Sequence, residues 1–124
     1  MAAEPPRGLL VVAALSAALA IAAGAFGAHG AASDDAADWL RTGGQYQLIH
    51  AVAALAIGAR FPRAAGVMLA GAALFAATLY AMALGAPRWL GAITPVGGAA
   101  MIGAWLWVAW RAYADRERRQ RSEQ

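Results

Sequence analysis

The chain carries two histidines, His29 and His50, each beside groups that could act with it. His29 stands in GAFGAHG, residues 24 to 30, where an uncharged apolar run gives way to Asp34 and Asp35. His50 closes the segment Gln45-Tyr46-Gln47-Leu48-Ile49-His50, and Gln47 shares its helical face at a spacing of three. Imidazole ligates metal or haem iron and gains or loses a proton near neutral pH. Inside a membrane such a group needs a partner. Residues His29, Gln45, Tyr46, Gln47 and His50 therefore admit three readings. The first is a hydrogen-bonded polar cluster that fixes helix register, since buried polar groups are usually paired with one another or with backbone. The second is a bis-histidine haem or metal site. The third is a quinone-like, lipid or proton site.

Other chemistry has little support. There is no cysteine, which removes disulfides, thiolate metal sites and a cysteine nucleophile. The serines are Ser16, Ser33 and Ser122; Thr42 and Thr78 have no carboxylate partner nearby in sequence, and neither GxSxG nor HExxH occurs. No catalytic residue, no metal site and no resident cofactor is expected, and the protein is not read as an enzyme.

The elements that position these side chains follow from composition. Of 124 residues, 61% are hydrophobic, and the mean hydropathy is +0.51. A soluble chain of this size must cover itself with polar surface, so a membrane protein with one domain is expected. The net charge of +3 comes from ten arginines without a lysine. They sit beside apolar runs and read as topology signals, so nucleic acid is not an expected partner.

Stretches free of Asp, Glu and Arg cover residues 8 to 33, 42 to 59, 64 to 87 and 89 to 110. About 20 apolar residues cross a hydrocarbon core of ~30 Å, so four transmembrane helices are expected. The second is the most polar and could instead be re-entrant. One side collects Arg7, Arg60, Arg63, Arg111, Arg116, Arg118, Arg119 and Arg121, and the other only Arg41 and Arg88. Eight against two places both termini in the cytoplasm. Trp39 and Trp89 then mark the outer boundary, and Phe61, Trp105, Trp107, Trp110 and Tyr113 crowd the inner one.

Ser33 followed by Asp34 and Asp35 reads as an N-cap and acidic first turn, opening a short interfacial helix to about Leu40. Gly43 and Gly44 then re-aim the chain into helix 2. Thr94 and Pro95 read as N-cap and first position of helix 4 after an outer connector, and the tail DRERRQRSEQ extends that helix before fraying. Helices in lipid associate through small residues that let backbones approach. Candidate packing positions are Gly24, Gly27, Ala77, Ala81, Gly85, Gly97 and Gly98. The stripe Ala14, Ala18, Ala22, Ala25, His29 is assigned to the packing face of helix 1, Thr42, Tyr46, His50, Ala54, Gly58 to that of helix 2, and Ala73, Ala77, Ala81, Gly85 to that of helix 3. His29 and His50 would then meet in the outer half.

The start also resembles a secretory leader: Arg7, an apolar core from Leu9 to Ala23, and the small residues Ala23-Gly24-Ala25. Three motifs taken together point elsewhere. GAFGAHG, then WLRTGGQYQLIHA from Trp39, then ITPVGGAAMIGAW from Ile93 to Trp105, resemble the small bacterial membrane proteins of the domain of unknown function 423 family, relatives of eukaryotic transmembrane protein 256. The resemblance spans nearly the whole chain. It implies a multi-pass inner-membrane protein of four helices with its first helix retained, and it implies no activity. The chain departs from that pattern in the pair Gly43-Gly44 and in an unusually alanine-rich helix 1.

The expected architecture is an all-α integral membrane four-helix bundle with a short outer interfacial helix between helices 1 and 2. It forms one transmembrane domain, 1–124, with helices at about 8–29, 44–60, 64–86 and 94–114 and a charged cytoplasmic tail 115–124. A structural or accessory role in the bacterial inner membrane is expected, as a homo-oligomer or beside a larger membrane protein. The alternatives are small-solute or proton permeation by an oligomer through the His50 region, or a bis-histidine cofactor-binding protein.

Overall fold

The computed structural model describes residues 3–124. They form four long α-helices, α1 (Arg7–His29), α2 (Asp34–Ile57), α3 (Pro62–Ala83) and α4 (Thr94–Ser122), with a short 3-10 helix at Arg88–Ala92 before α4. Three stretches, Arg7–His29, Pro62–Ala83 and Arg88–Ser122, are long and apolar enough to cross a membrane. The 23 residues of α1 extend roughly 34 Å at 1.5 Å per residue, enough for the hydrocarbon core. The 24 residues of α2 have the length but include Asp38, Arg41, Gln45, Gln47 and His50.

The polypeptide around Gly43 and Gly44 differs from the sequence expectation. Among the described residues there is no separate interfacial helix: α2 begins at Asp34 and runs unbroken through both glycines. Ser33 does cap it, its Oγ accepting from the Ala36 N–H at 3.1 Å, and Asp34 and Asp35 fall in the positive first turn. The glycines serve close approach rather than a bend. A Cβ on Gly43 would stand 2.8 Å from the Tyr80 ring of α3, and one on Gly44 would stand 2.9 Å from the Ala20 carbonyl oxygen of α1.

Side chains set α2 against both α1 and α3, and α4 packs on α3. Ala13, Ala51, Ala54, Ala65 and Leu69 form the shared core at one end of the α1–α2–α3 group. The tightest crossing joins α3 to α4, where Gly71 and Gly97 face each other. A Cβ on Gly97 would lie 2.6 Å from the Gly71 carbonyl oxygen, and one on Gly71 would lie 2.9 Å from the Gly97 oxygen. Within α4 the buried residues are Thr94, Gly97, Met101 and Ala104. Beyond Ala104 no residue of α4 is fully buried, although Trp107, Val108, Ala114 and Asp115 are half-buried and Asp115 meets Arg60. The helix carries the charged tail without a break to Ser122, eight residues beyond the expected end at 114. Arg118 donates to Asp115 at 3.0 Å, and this contact holds the Asp115 carboxyl below its ordinary range. Tyr113 donates to Glu117 at 2.8 Å on the same tail.

The small-residue stripes turn out differently in three helices. In α1 the stripe Ala14, Ala18, Ala22, Ala25, His29 is exposed, and the packed face is Ala13, Ala20, Ala23 and Gly27. An alanine helix that is apolar all round offers no moment to select between these faces; Ser16 and Gly27 do. In α2 the stripe holds only toward its end, with His50, Ala54 and Gly58 buried and Thr42 and Tyr46 exposed. In α3 Ala73 and Ala77 are exposed and Ala81 is half-buried, whereas Gly71, Ala72, Ala76 and Leu79 are buried. Gly24 has open space where a Cβ would stand, and Gly98 meets only Phe75 at 3.9 Å, so neither marks a close crossing. Gly85 ends a helix instead of packing one. It adopts φ +103, its N–H bonds the Met82 carbonyl at 3.1 Å and that of Ala86 bonds Ala81 at 2.9 Å. This Schellman arrangement stops α3 at Ala83, three residues short of the expected 86.

A reversal of expectation follows for α3. Enlarging the exposed Ala77 to leucine should change stability by less than about 0.5 kcal/mol. Leu79→Ala, at a buried position, should cost about 2 kcal/mol, at the low end for leucine truncation. Unfolding in mixed micelles with increasing dodecyl sulfate measures both, and a larger loss for Ala77→Leu would contradict this packing.

Candidate functional site

The polar side chains at the helix crossings form three bridges. The first centres on Gln47, 3% exposed and on the face of α2 between α1 and α3. Its Nε2 donates to Ser16 Oγ of α1 at 3.1 Å. Its Oε1 accepts from the Tyr80 hydroxyl of α3 at 2.7 Å. One amide thus fastens three helices, and its planar geometry fixes their relative height. The room for it comes from Gly43 and Gly44 one turn away, which bring Tyr80 and Ala20 close.

The second bridge is His50. Trp105 of α4 donates its indole N–H to His50 Nε2 at 3.1 Å. Indole has only a donor, so Nε2 accepts and the ring proton resides on Nδ1. Nδ1 lies 2.7 Å from the Tyr46 carbonyl oxygen and donates to it. Both nitrogens are thereby engaged. The ring is stacked with Tyr46 at 6.3 Å between centroids and meets Trp105 edge-on at 6.1 Å, and Tyr46 also leans on Phe75 at 5.0 Å.

The third bridge joins Thr78 of α3 to Thr94 at the start of α4, Oγ1 to Oγ1 at 2.7 Å. Thr78 also lies within bonding distance of the Leu74 and Phe75 carbonyls of its own helix. Thr94 is therefore not the cap it resembled. The N-cap position is Ile93, whose hydrocarbon side chain can make no cap bond, and the Thr94 hydroxyl bonds α3 instead. Pro95 does stand in the first turn of α4.

Of the five side chains grouped from the sequence, the structure brings Gln47 and His50 into the interior, and Tyr46 contributes its backbone carbonyl and ring stacking. Gln45 is exposed. His29 is exposed at the last position of α1 and does not meet His50. Gly27 sits against Leu40, where a Cβ would approach the Leu40 Cβ to 2.9 Å. Since α1 and α2 run antiparallel, His29 lies two residues beyond that level and His50 ten residues the other way, roughly 18 Å apart along the axis at 1.5 Å per residue. No single iron or metal ion spans that distance. The expectation of a meeting in the outer half failed because α2 starts at Asp34, which carries His50 past the middle of its helix toward the arginine-rich end.

Ser16, Tyr80, Trp105, Thr78 and Thr94 were missed as members of the network. Each is a lone polar group in an apolar run, and intramembrane polar groups need partners; that signal was available for Ser16, Thr78 and Tyr80, but the pairing was not.

At the end of the molecule opposite the tail, Arg88 pairs with Asp35 at 2.9 Å and lies over the Trp39 ring at 5.3 Å. Both charged groups are well exposed, so the pair adds at most about 1 kcal/mol.

Comparison with known proteins agrees with this architecture. The family described as Protein of unknown function (DUF423) matches residues 23–98, a range that holds Gln47, His50, Thr78, Tyr80 and Thr94. The UPF0382 membrane protein YwdK of Bacillus subtilis is 33% identical over 111 residues, covering 80% of this chain and 90% of that protein. The UPF0382 inner membrane protein YgdD of Escherichia coli is 36% identical over 110 residues, covering 80% and 84%. A UPF0382 membrane protein of Haemophilus influenzae is 33% identical over 117 residues, covering 86% and 94%. No solved structure matches the chain. With its apolar spanning helices and this extent of similarity, the chain is a membrane protein belonging to the DUF423 family.

Proposed function

We propose that the chain is a non-enzymatic, four-span protein of the bacterial inner membrane with a structural or accessory role, working as a homo-oligomer or beside a larger membrane protein. The observation that carries this reading is the commitment of the interior polar atoms to holding helices together. Both polar atoms of Gln47 and both ring nitrogens of His50 are engaged. A proton carrier or an axial ligand needs a free imidazole nitrogen, and at His50 the one that faces a neighbouring helix is occupied by Trp105.

The same bonds support α2 as a fourth span. Its most polar interior groups are turned toward α1, α3 and α4 and satisfied there, which removes most of the cost of placing them in hydrocarbon. The Ser16–Gln47 bond and the seating of Gly27 against Leu40 support retention of α1 as a working part of the domain. The excess of arginine at the end holding both termini supports a cytoplasmic location for them.

His50 provides the test. His50→Gln keeps an acceptor for Trp105 and should leave a folded protein. His50→Leu leaves the Trp105 N–H without an acceptor and should cost about 1 to 3 kcal/mol. Unfolding midpoints and the absorbance spectrum of protein purified from native membranes read out both. A visible chromophore lost in folded His50→Gln would replace the structural reading with a ligand site.

A further inference from the structure

At the arginine-rich end, a cleft of about 220 Å³ opens between the α2–α3 turn and α4, lined by Arg60, Phe61, Pro62, Arg63, Trp107 and Arg111 among others. Its composition is divided. Phe61, Pro62 and Trp107 give it an apolar wall at the level where the helices leave the apolar region, and three guanidinium groups surround its mouth. Arg60 is drawn toward Asp115, 3.4 Å away, and its guanidinium lies over the Phe61 ring at 4.9 Å. Arg63 and Arg111 are in no ion pair among the described residues. Asp115, already bonded by Arg60 and Arg118, lies one turn from Arg111 and acts on it at longer range only. Two exposed guanidinium groups outside any salt bridge, beside a partly covered indole, are matched by a ligand that combines a phosphate anion with acyl chains.

We propose that this cleft binds the headgroup of an anionic phospholipid, with the phosphate held between Arg63 and Arg111 and the glycerol and upper acyl chain against Phe61 and Trp107. Guanidinium pairs phosphate oxygens in a forked geometry and is more weakly hydrated than an ammonium. Basic pockets among membrane helices favour anionic headgroups for this reason. The apolar wall is what selects a lipid over free phosphate, since a small inorganic anion gains nothing from Trp107.

Native mass spectrometry of the full-length chain in detergent tests this, with dioleoyl phosphatidylglycerol and dioleoyl phosphatidylcholine as probes. Phosphatidylglycerol should bind preferentially. Each arginine removed should weaken it about fivefold, and Arg63→Gln with Arg111→Gln roughly 25-fold. Arg121→Gln, on the tail and outside the cleft, should bind as the parent does. Both arginines are exposed, so helix content by circular dichroism should be unchanged in the variants. Equal binding of the two lipids, or undiminished phosphatidylglycerol binding by the double variant, would overturn the proposal. Displacement of the lipid by millimolar inorganic phosphate would make this a soluble-anion site and overturn the lipid assignment.

Discussion

Gly97→Ala lowers stability by about 2 kcal/mol, and Gly97→Leu prevents α4 from seating on α3 at a cost of about 3 kcal/mol or more. A Cβ at position 97 meets backbone on every side: the Gly71 oxygen and Phe75 nitrogen at 2.6 Å and the Phe75 Cα at 2.9 Å. No rotamer change relieves such a contact, so the helices must part. Parting them also stretches Thr78–Thr94 at 2.7 Å and Trp105–His50 at 3.1 Å, two polar links to α4. Helix association in lipid depends on contact-distance packing rather than on water exclusion, so little compensates. The neighbouring Gly98 supplies the control. Its Cβ would meet only the Phe75 ring edge at 3.9 Å, and Gly98→Ala should be tolerated. Unfolding in dodecyl sulfate, followed by far-ultraviolet circular dichroism, measures the series; equal midpoints for Gly97→Ala and Gly98→Ala would show that the crossing lies elsewhere.

Gln47→Leu is the second substitution with a large expected effect, because one side chain serves two partners on different helices. The change orphans the Tyr80 hydroxyl and the Ser16 hydroxyl together. Each unmet group costs about 1 to 3 kcal/mol if it stays buried, so the single substitution should cost about 3 kcal/mol. Tyr80→Phe alone removes the short 2.7 Å bond and leaves only one amide oxygen unmet, a smaller loss. In the double variant, Gln47→Leu with Tyr80→Phe, the Tyr80 hydroxyl that leucine would strand is absent and only that of Ser16 stays unmet. The two losses should therefore fall short of additive by about 0.6 kcal/mol, a typical coupling for a hydrogen-bonded pair in a membrane, and by no more than about 1.7 kcal/mol. Strict additivity in the same denaturation assay would mean that the two side chains do not share a bond.

Which parts of this structure could be read from the sequence depends on what kind of signal each carried. The apolar runs, the Ser33 cap and the proline in the first turn of α4 rest on local chemistry, and they stand where the residues put them. Glycine was the ambiguous letter. Gly43 and Gly44 follow a polar segment in the manner of a turn, yet the same absence of a Cβ lets Tyr80 and Ala20 approach a straight helix. Local sequence carries no information on which use applies, since the deciding atoms lie on α1 and α3. The displacement of His29 from His50 is the direct result of that one misreading, as the extra turns of α2 shift everything after them. Alanine stripes failed for a related reason. In α1 and α3 alanine recurs on more than one face, so the small-residue pattern was present on faces that pack and on faces that do not. Gln47 and His50, by contrast, stood out because each is costly unless it faces inward.

The Gln47 bridge also carries a consequence for the order of events during synthesis. Ser16 precedes Gln47 by 31 residues in the chain, so the donor side of the amide can be satisfied as soon as α1 and α2 come together. Tyr80 lies 33 residues downstream. At a translation rate of about 5 to 20 residues per second, the amide oxygen waits roughly 2 to 7 s for its hydroxyl. An early α1–α2 hairpin is thus an incomplete object, with one acceptor unmet in the plane where α3 will lie. The arrival of α3 ends the wait, and the bare oxygen makes the nascent hairpin a template with a defined vacancy for the third helix, so that Tyr80 reports correct register at the moment of assembly.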